Sequence, residues 1–242
     1  MTNKTALVTG GSTGIGRAIC ARFLEQGYQV INLARRALEL DHDQLHNISV
    51  DLSDIEATKA AAQEAAEKFN ITTLVHNAGL IRPALLEDVA IEDLDYLAHI
   101  HIGAAISLTQ AVLPAMKQAK FGRVILITSR AALGLETRTN YSATKAGMMG
   151  MARTWALELG KYGITVNTVA PGPIEATEMF HNVIPAGDPK IQKIADSIPV
   201  KRVGTPDDVA NAVNFLASPD SGFITGQTLM VCGGASLGAL SL

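Results

Sequence analysis

TALVTGGSTGIGRAICARFLEQG (Thr5–Gly27) is the stretch whose reading decides the fold. Thr5 to Thr9 is a short run of apolar and β-branched residues, which predicts a strand. Glycines follow at 10, 11, 14 and 16, and from Ile15 to Gln26 apolar residues recur at three- and four-residue spacing, which predicts a helix. A strand that passes through glycines directly into a helix start is what a phosphate needs. Glycine lets the backbone turn sharply and approach closely, and the free N–H groups and dipole at the helix start favour negative charge. The spacing is G-x-x-x-G-x-G, so Gly10, Ser12, Thr13, Gly14, Ile15 and Gly16 are the candidate cradle for a dinucleotide pyrophosphate. Two other readings stay open at this point. One is a tight turn with no ligand. The other is a hydrolase nucleophile elbow, because residues 10–14 also spell G-x-S-x-G with Ser12 as nucleophile. It fits poorly, since only nine residues precede Gly10 and an elbow needs an earlier strand and loop for its oxyanion hole.

The strand-then-helix unit repeats along the chain. Strand patterns are expected at Thr5–Thr9, Gln29–Leu33, Ile48–Val50, Thr73–His76, Arg123–Thr128, Thr165–Ala170 and Thr228–Val231. Helical spacing occupies Ile15–Gln26, Ile55–Phe69, Asp93–Lys117, Tyr141–Leu159 and Asp207–Ala217. Runs such as Val124–Ile127 are apolar without alternation, which suits strands covered on both faces. With right-handed crossovers this gives an α/β fold: a doubly wound parallel seven-stranded sheet of the Rossmann type, helices on both faces, ligands at the carboxyl ends of the strands. No composition shift divides residues 1–242, so a single dinucleotide-binding domain is expected. The proline-rich segment of about 173–200 is read as a substrate lid, because long loops in compact α/β domains are often binding segments.

Composition excludes several classes. Hydrophobic residues make up 48% of the 242 and charged residues 18%, which fits a chain of this length burying roughly 70 to 75% of its unfolded surface. Twenty basic and 23 acidic residues give a net charge of -3, so no basic field exists to gather a nucleic-acid backbone. Cys20 and Cys232 sit alone in apolar surroundings and read as core fillers, with no metal site. The longest uncharged apolar run, Ile102–Met116, is too short to span a membrane and contains Gln110 and Pro114. The start of the chain shows no leader pattern, and a cytoplasmic location is the expectation.

The second strand ends in VINLARR. NAD sites place a carboxylate about 20 residues beyond the glycines to accept the ribose hydroxyls, whereas NADP sites use arginine for the 2'-phosphate. Here Ala34 is followed by Arg35 and Arg36, planar forks suited to a phosphate, so NADP(H) is favoured over NAD(H). The alternative is that both arginines are solvated surface charges and Glu39 or Asp41 serves an NAD ribose.

Tyr141 and Lys145 are four apart in a helical stretch and so share one face. An ammonium there favours the ionised phenol and is expected to lower the tyrosine from its ordinary value near 10, as acid–base work requires. Ser129 stands 12 residues before Tyr141 at the end of RVILIT, at the ligand face of the sheet, where its hydroxyl can orient a carbonyl oxygen.

With these residues assembled, the chain resembles the short-chain dehydrogenase/reductase family over essentially its whole length. TGGSTGIG (Thr9–Gly16) looks like that family's cofactor turn, VDLSD (Val50–Asp54) like its adenine-side segment, HNAG (His76–Gly79) like its NNAG strand end, and APG (Ala170–Gly172) like its nicotinamide-side turn. The resemblance implies an oxidoreductase interconverting a ketone and a secondary alcohol. Tyr141 would be general acid and base, Ser129 would hold the substrate oxygen, and Lys145 would bind the nicotinamide ribose. It also implies that Asp51 and Leu52 border adenine, that Asn77, Ala78 and Gly79 lie on the adenosine ribose side, and that Pro171, Gly172, Ile174 and Thr177 face the nicotinamide. A homotetramer is implied, built through Asp93–Lys117, Tyr141–Leu159 and the C-terminal strand.

The chain departs from the family at several positions. His101 stands where the family has an asparagine that kinks the helix and anchors a proton-relaying water. The imidazole either substitutes in that relay as a catalytic group, leaves a site without a relay, or marks a catalytically weak nicotinamide-binding protein. His76 replaces the first asparagine of NNAG, which touches structure more than chemistry. Ala176 is an extra residue before Thr177. Among substrates, 3-oxoacyl-carrier-protein is the alternative to a small ketone or alcohol, but Tyr162 precedes Gly163 where those reductases tend to carry arginine. Arg130 and Arg138 are either carboxylate partners or loop charges, and Met179, Phe180, Val183 and Ile184 suit either a hydrophobic substrate or lid packing.

Overall fold

In the computed structural model, which describes residues 4–237, seven strands form one sheet in the order β3-β2-β1-β4-β5-β6-β7. They are β1 (Thr5–Thr9), β2 (Gln29–Ala34), β3 (Leu45–Ser49), β4 (Thr73–His76), β5 (Gly122–Ile127), β6 (Ile164–Pro171) and β7 (Thr228–Val231), and every pairing is parallel. This is the doubly wound Rossmann sheet expected. Of the span read as one domain, residues 1–3 and 238–242 lie outside the described residues. The helices are α1 (Gly14–Glu25), α2 (Ile55–Lys68), α3 (Ile91–Ala98), α4 (Ala104–Ala119), α5 (Thr139–Leu159), α6 (Glu178–His181), α7 (Lys190–Ser197) and α8 (Pro206–Ala217).

Successive strand residues face opposite sides of a sheet, so an unalternating apolar strand feeds two cores at once. Leu7, Ile31, Leu33, Leu74, Val124 and Leu126 pack with α2, α4 and α5 on one face. Ala6, Val8, Val30, Val75, Ile125 and Ile127 pack with α1 and α8 on the other. The chain order reverses between β1 and β4, which opens a crevice at their carboxyl ends.

Two expectations are corrected. The third strand begins at Leu45, three residues before the apolar signal at Ile48, because its polar side chains find partners on β2: His46 with Gln29 at 3.1 Å and Asn47 with Asn32 at 2.8 Å. The helix read as Asp93–Lys117 is interrupted by a π-helical turn at His99–Gly103. Counted together, Ile91–Ala119 is a 29-residue helical run whose best window has mean hydropathy 1.3, long and apolar enough to cross a membrane by length and composition alone. Its apolar side is core: Leu97, Ala105, Leu108, Val112 and Met116 are buried.

Candidate active site

The crevice widens into a cavity of about 500 Å³, and the residue types that line it change from one end to the other. Its floor is the glycine turn. Gly10 has φ +66°, and a side chain on Gly16 would place Cβ 2.1 Å from the Gly10 carbonyl oxygen, so both positions need glycine. The turn is tied to β4 through one hydroxyl: Thr9 Oγ1 accepts the backbone N–H of both Asn77 and Ala78 at 2.9 Å. The Asn77 amide returns bonds to the carbonyls of Thr9 and Gly10 at 3.1 and 3.2 Å. α1 then begins at Gly14 with no side-chain cap and no acid in its first turn, so its first N–H groups are free to meet an anion.

One end of the cavity carries Arg35, Arg36, Asp51 and Leu52. Hydrogen bonds from Ser53 hold the Asp51 carboxyl below its ordinary range. Arg36 pairs with Glu178 at the start of α6. At the other end Pro171, Gly172, Ile174 and Thr177 line the wall, and a Cβ on Gly172 would lie 2.8 Å from Cys232 Cα. The extra residue Ala176 is absorbed in a left-handed conformation (φ +59°). Thr177 therefore still reaches the cavity beside Gly14, donating its hydroxyl to Ile174 O at 3.1 Å and capping α6 by accepting from Phe180 N.

Ser129 leaves the end of β5, and its Oγ accepts from Ala131 N at 3.1 Å. Tyr141 and Lys145 come from consecutive turns of α5, both buried, with Lys145 Nζ 5.7 Å from the centre of the Tyr141 ring and donating to Ile127 O at 2.8 Å. The phenol differs from expectation. Burial raises it above its ordinary value, opposed by the Ser129 hydrogen bond and the Arg138 charge. Burial also pushes the Lys145 ammonium down to about 7, so near neutrality it is charged only part of the time and is a weak partner for a phenolate.

Of the residues expected to form the site, Gly16 and His101 do not line the cavity. His101 is fully buried behind Gly79 and Leu80, where its Nε2 accepts from Leu80 N at 3.3 Å and its Nδ1 bonds Thr144 Oγ1 at 2.8 Å. Those partners fix the neutral tautomer with the proton on Nδ1. Burial and the nearby Lys145 hold the ring far below its ordinary range. With both nitrogens engaged by Leu80 N and Thr144 Oγ1, His101 holds the Gly79–Leu80 backbone and has no ring nitrogen left over for a relaying water, one of the three readings its place in the sequence left open. His76 is its structural companion. Its Nε2 donates to Ile100 O, inside the π-helical turn, at 3.0 Å, and its Nδ1 accepts from the Thr9 hydroxyl at 3.1 Å. Both bonds belong to the neutral ring, which burial keeps at about 3. His99 is exposed.

Leu80, Ile81, Tyr96, Leu135 and Ile194 line the cavity without having been foreseen. The signal for Leu80 and Ile81 was their place directly after HNAG. Tyr96 and Ile194 lie on α3 and α7, and their side of the helix is set only by tertiary packing.

Residues 10–236 match the protein family described as enoyl-(acyl carrier protein) reductase. The chain is 39% identical over 246 residues to the (2S)-[(R)-hydroxy(phenyl)methyl]succinyl-CoA dehydrogenase subunit BbsD of Thauera aromatica, covering 97% of each protein. It is 38% identical over 239 residues to the 3-oxoacyl-[acyl-carrier-protein] reductase MabA of Mycobacterium avium, covering 98% of this chain and 91% of that one. Among solved structures it is similar to ElxO with NADP bound, at a TM-score of 0.89 and 29% identity, covering 97% of this chain and 99% of that one.

Proposed function

Because the chain belongs to the short-chain dehydrogenase/reductase family of NAD(P)-dependent oxidoreductases acting on CH–OH and C=O groups, we propose that it interconverts a ketone and a secondary alcohol with NADP(H). The observation that carries this reading is convergence. Ser129, Tyr141 and Lys145 share one cavity with an uncapped helix start and two arginines.

The site fits a nicotinamide dinucleotide on its own residues. Gly10, Gly14 and the first-turn N–H groups of α1 suit a pyrophosphate, with Ser12, Thr13 and Ile15 beside it. Leu52 and Asp51 suit the adenine, and Asn77, Ala78 and Gly79 the adenosine ribose. Pro171, Gly172, Ile174 and Thr177 suit the nicotinamide end. Arg35 and Arg36 favour a 2'-phosphate over a bare diol. When bound, the nicotinamide supplies or accepts the hydride.

In the reductive direction Ser129 donates a hydrogen bond to the carbonyl oxygen and Tyr141 gives that oxygen a proton. A phenol held above its ordinary value keeps its proton at neutral pH, which suits the acid role. Lys145, bonded to Ile127 O, suits the ribose hydroxyls of the nicotinamide side. His101 acts at one remove, as a positioning residue for Gly79 and Lys145.

A second reading, reduction of a 3-oxoacyl group on a carrier protein, is favoured by the similarity to MabA. A homotetramer and a cytoplasmic location are part of the proposal. Support for the assembly comes from Leu157 on α5, 87% exposed, and Leu229 on the edge strand β7. The deciding experiment measures NADPH and NADH oxidation over aryl, cyclic, 1,2-dicarbonyl and 3-ketoester substrates and an acyl-carrier mimic, with Tyr141→Phe as control. NADPH-preferring turnover that the variant abolishes is expected. Turnover equal in the variant removes Tyr141 from the chemistry.

A further inference from the structure

The substrate half of the cavity has an uneven charge. Its walls include Leu80, Ile81, Met179, Phe180, Val183 and Ile184, all apolar. Arg130 and Arg138 line the same cavity as Ser129 and Tyr141, and both are part-buried. The cavity's two carboxylates are engaged elsewhere: Asp51 accepts from Ser53, and Glu178 pairs with Arg36. Among the described residues neither Arg130 nor Arg138 is in an ion pair.

Their hydrogen bonds leave most of their capacity unused. Arg138 Nη1 donates to the carbonyl and hydroxyl of Thr137, and Arg130 Nη1 makes a long contact of 3.5 Å to Ala235 O. Each guanidinium has five N–H donors in a rigid fork, so most remain for a ligand. Two part-buried guanidinium groups with no ion-pair partner among the described residues favour an anion that brings its own planar oxygens. The Arg138 charge acts on the Tyr141 phenol, and Arg130 directly follows Ser129, so both belong to the catalytic end of the cavity.

We propose that the substrate is an apolar ketone, or the corresponding alcohol, that carries a carboxylate held by Arg138 and Arg130 while Ser129 and Tyr141 take its carbonyl oxygen. This rests on the reading of Ser129 and Tyr141 given above. In reduction the carbonyl carbon gains the hydride of the reduced nicotinamide, the oxygen gains the Tyr141 proton, and the carboxylate is unchanged.

The test compares 4-oxo-4-phenylbutanoate with its methyl ester, which share the reacting ketone and differ at the carboxyl end, where the ester has a methyl group in place of the charge. A charge-assisted bond to arginine is expected to give the acid an advantage of about ten- to a hundredfold in kcat/KM, chiefly through KM. Arg138→Gln and the Arg130→Gln/Arg138→Gln pair are expected to bring the acid-to-ester ratio near one. Acid and ester of equal kcat/KM in the unaltered protein overturn the proposal. A separate binding measurement keeps it testable should no ketone turn over, the outcome that removes the catalytic reading. Quenching of the fluorescence of bound NADPH is followed with unreactive 4-phenylbutanoate and 4-phenylbutanamide. Tighter binding of the acid, lost in the arginine variants, supports the carboxylate site, and equal binding of acid and amide rejects it.

Discussion

Arg36, at the end of the second strand, holds Glu178, at the start of the short helix over the cavity, with a single guanidinium nitrogen 2.8 and 2.9 Å from the two carboxylate oxygens. The pair joins the wall proposed for the adenosine phosphate to the segment over the substrate. A 2'-phosphate brought to Arg36 competes with the Glu178 carboxylate for the same nitrogen. Both side chains are more than half exposed, so the pair is worth at most about 1 kcal/mol, and the competition is correspondingly mild.

Glu178→Gln is therefore expected to tighten NADPH by no more than about fivefold and to leave NADH unchanged. Fluorescence titration of both nucleotides checks it. Equal changes for the two separate Glu178 from the 2'-phosphate.

Arg35→Asp places a carboxylate where the phosphate is proposed to bind. NADPH is expected to weaken far more than NADH, because the new charge repels the phosphate and can accept from a ribose diol. Equal losses for both nucleotides remove the arginines from phosphate recognition.

The fold was legible because parallel strands buried on two faces carry continuous apolar runs, and because the turn after β1 needs glycine for steric reasons visible in its spacing. Tyr141, Lys145 and Ser129 were legible because a four-residue spacing on a helix and a strand end both fix direction. The Arg36–Glu178 pair was not, since its partners lie 142 residues apart and nothing local marks Glu178. The roles of His76 and His101 were hidden for a related reason. An imidazole with two occupied nitrogens and one with two free nitrogens have the same sequence, and only their partners in the fold, Thr9 and Ile100 O for His76 and Leu80 N and Thr144 for His101, show which is present. The Tyr141 phenol likewise answers to burial, a property of the packed core and not of the Y-x-x-x-K spacing.

If His101 is neutral throughout, it contributes no titration to catalysis. His101→Asn is expected to change kcat or KM while leaving the pH at half-maximal rate in place. A displaced acid limb in the pH profile restores the relay.

Tyr141 donates a proton in reduction and must lose one in oxidation. With its phenol held above the ordinary value, ketone reduction is expected to stay level through neutral pH, whereas alcohol oxidation climbs steadily as pH rises. Initial rates in both directions from pH 6 to 10 provide the comparison, and an oxidation rate already flat at pH 7 contradicts a raised phenol.

Lys145 also sets a stability prediction. Its ammonium is buried, and its folded value lies near 7 against 10.5 ordinarily, so the folded state disfavours the charged form. Below pH 7 the group is charged folded and unfolded, and the full cost of burial, on the order of 5 kcal/mol, is borne. Between about 7 and 10.5 the unfolded chain binds the extra proton, so stability rises with pH, and above that range both states are neutral and the cost is gone. Lys145→Met fills the space with an uncharged side chain and leaves the Ile127 carbonyl without its donor, a smaller loss of about 1–3 kcal/mol. The variant is accordingly expected to be inactive and yet to have a higher Tm than the unaltered protein at pH 6, with the difference shrinking or reversing by pH 10. Thermal unfolding of both proteins at the two pH values measures it. A variant less stable at pH 6 as well means that the buried lysine is solvated well enough by its surroundings to be held there without strain.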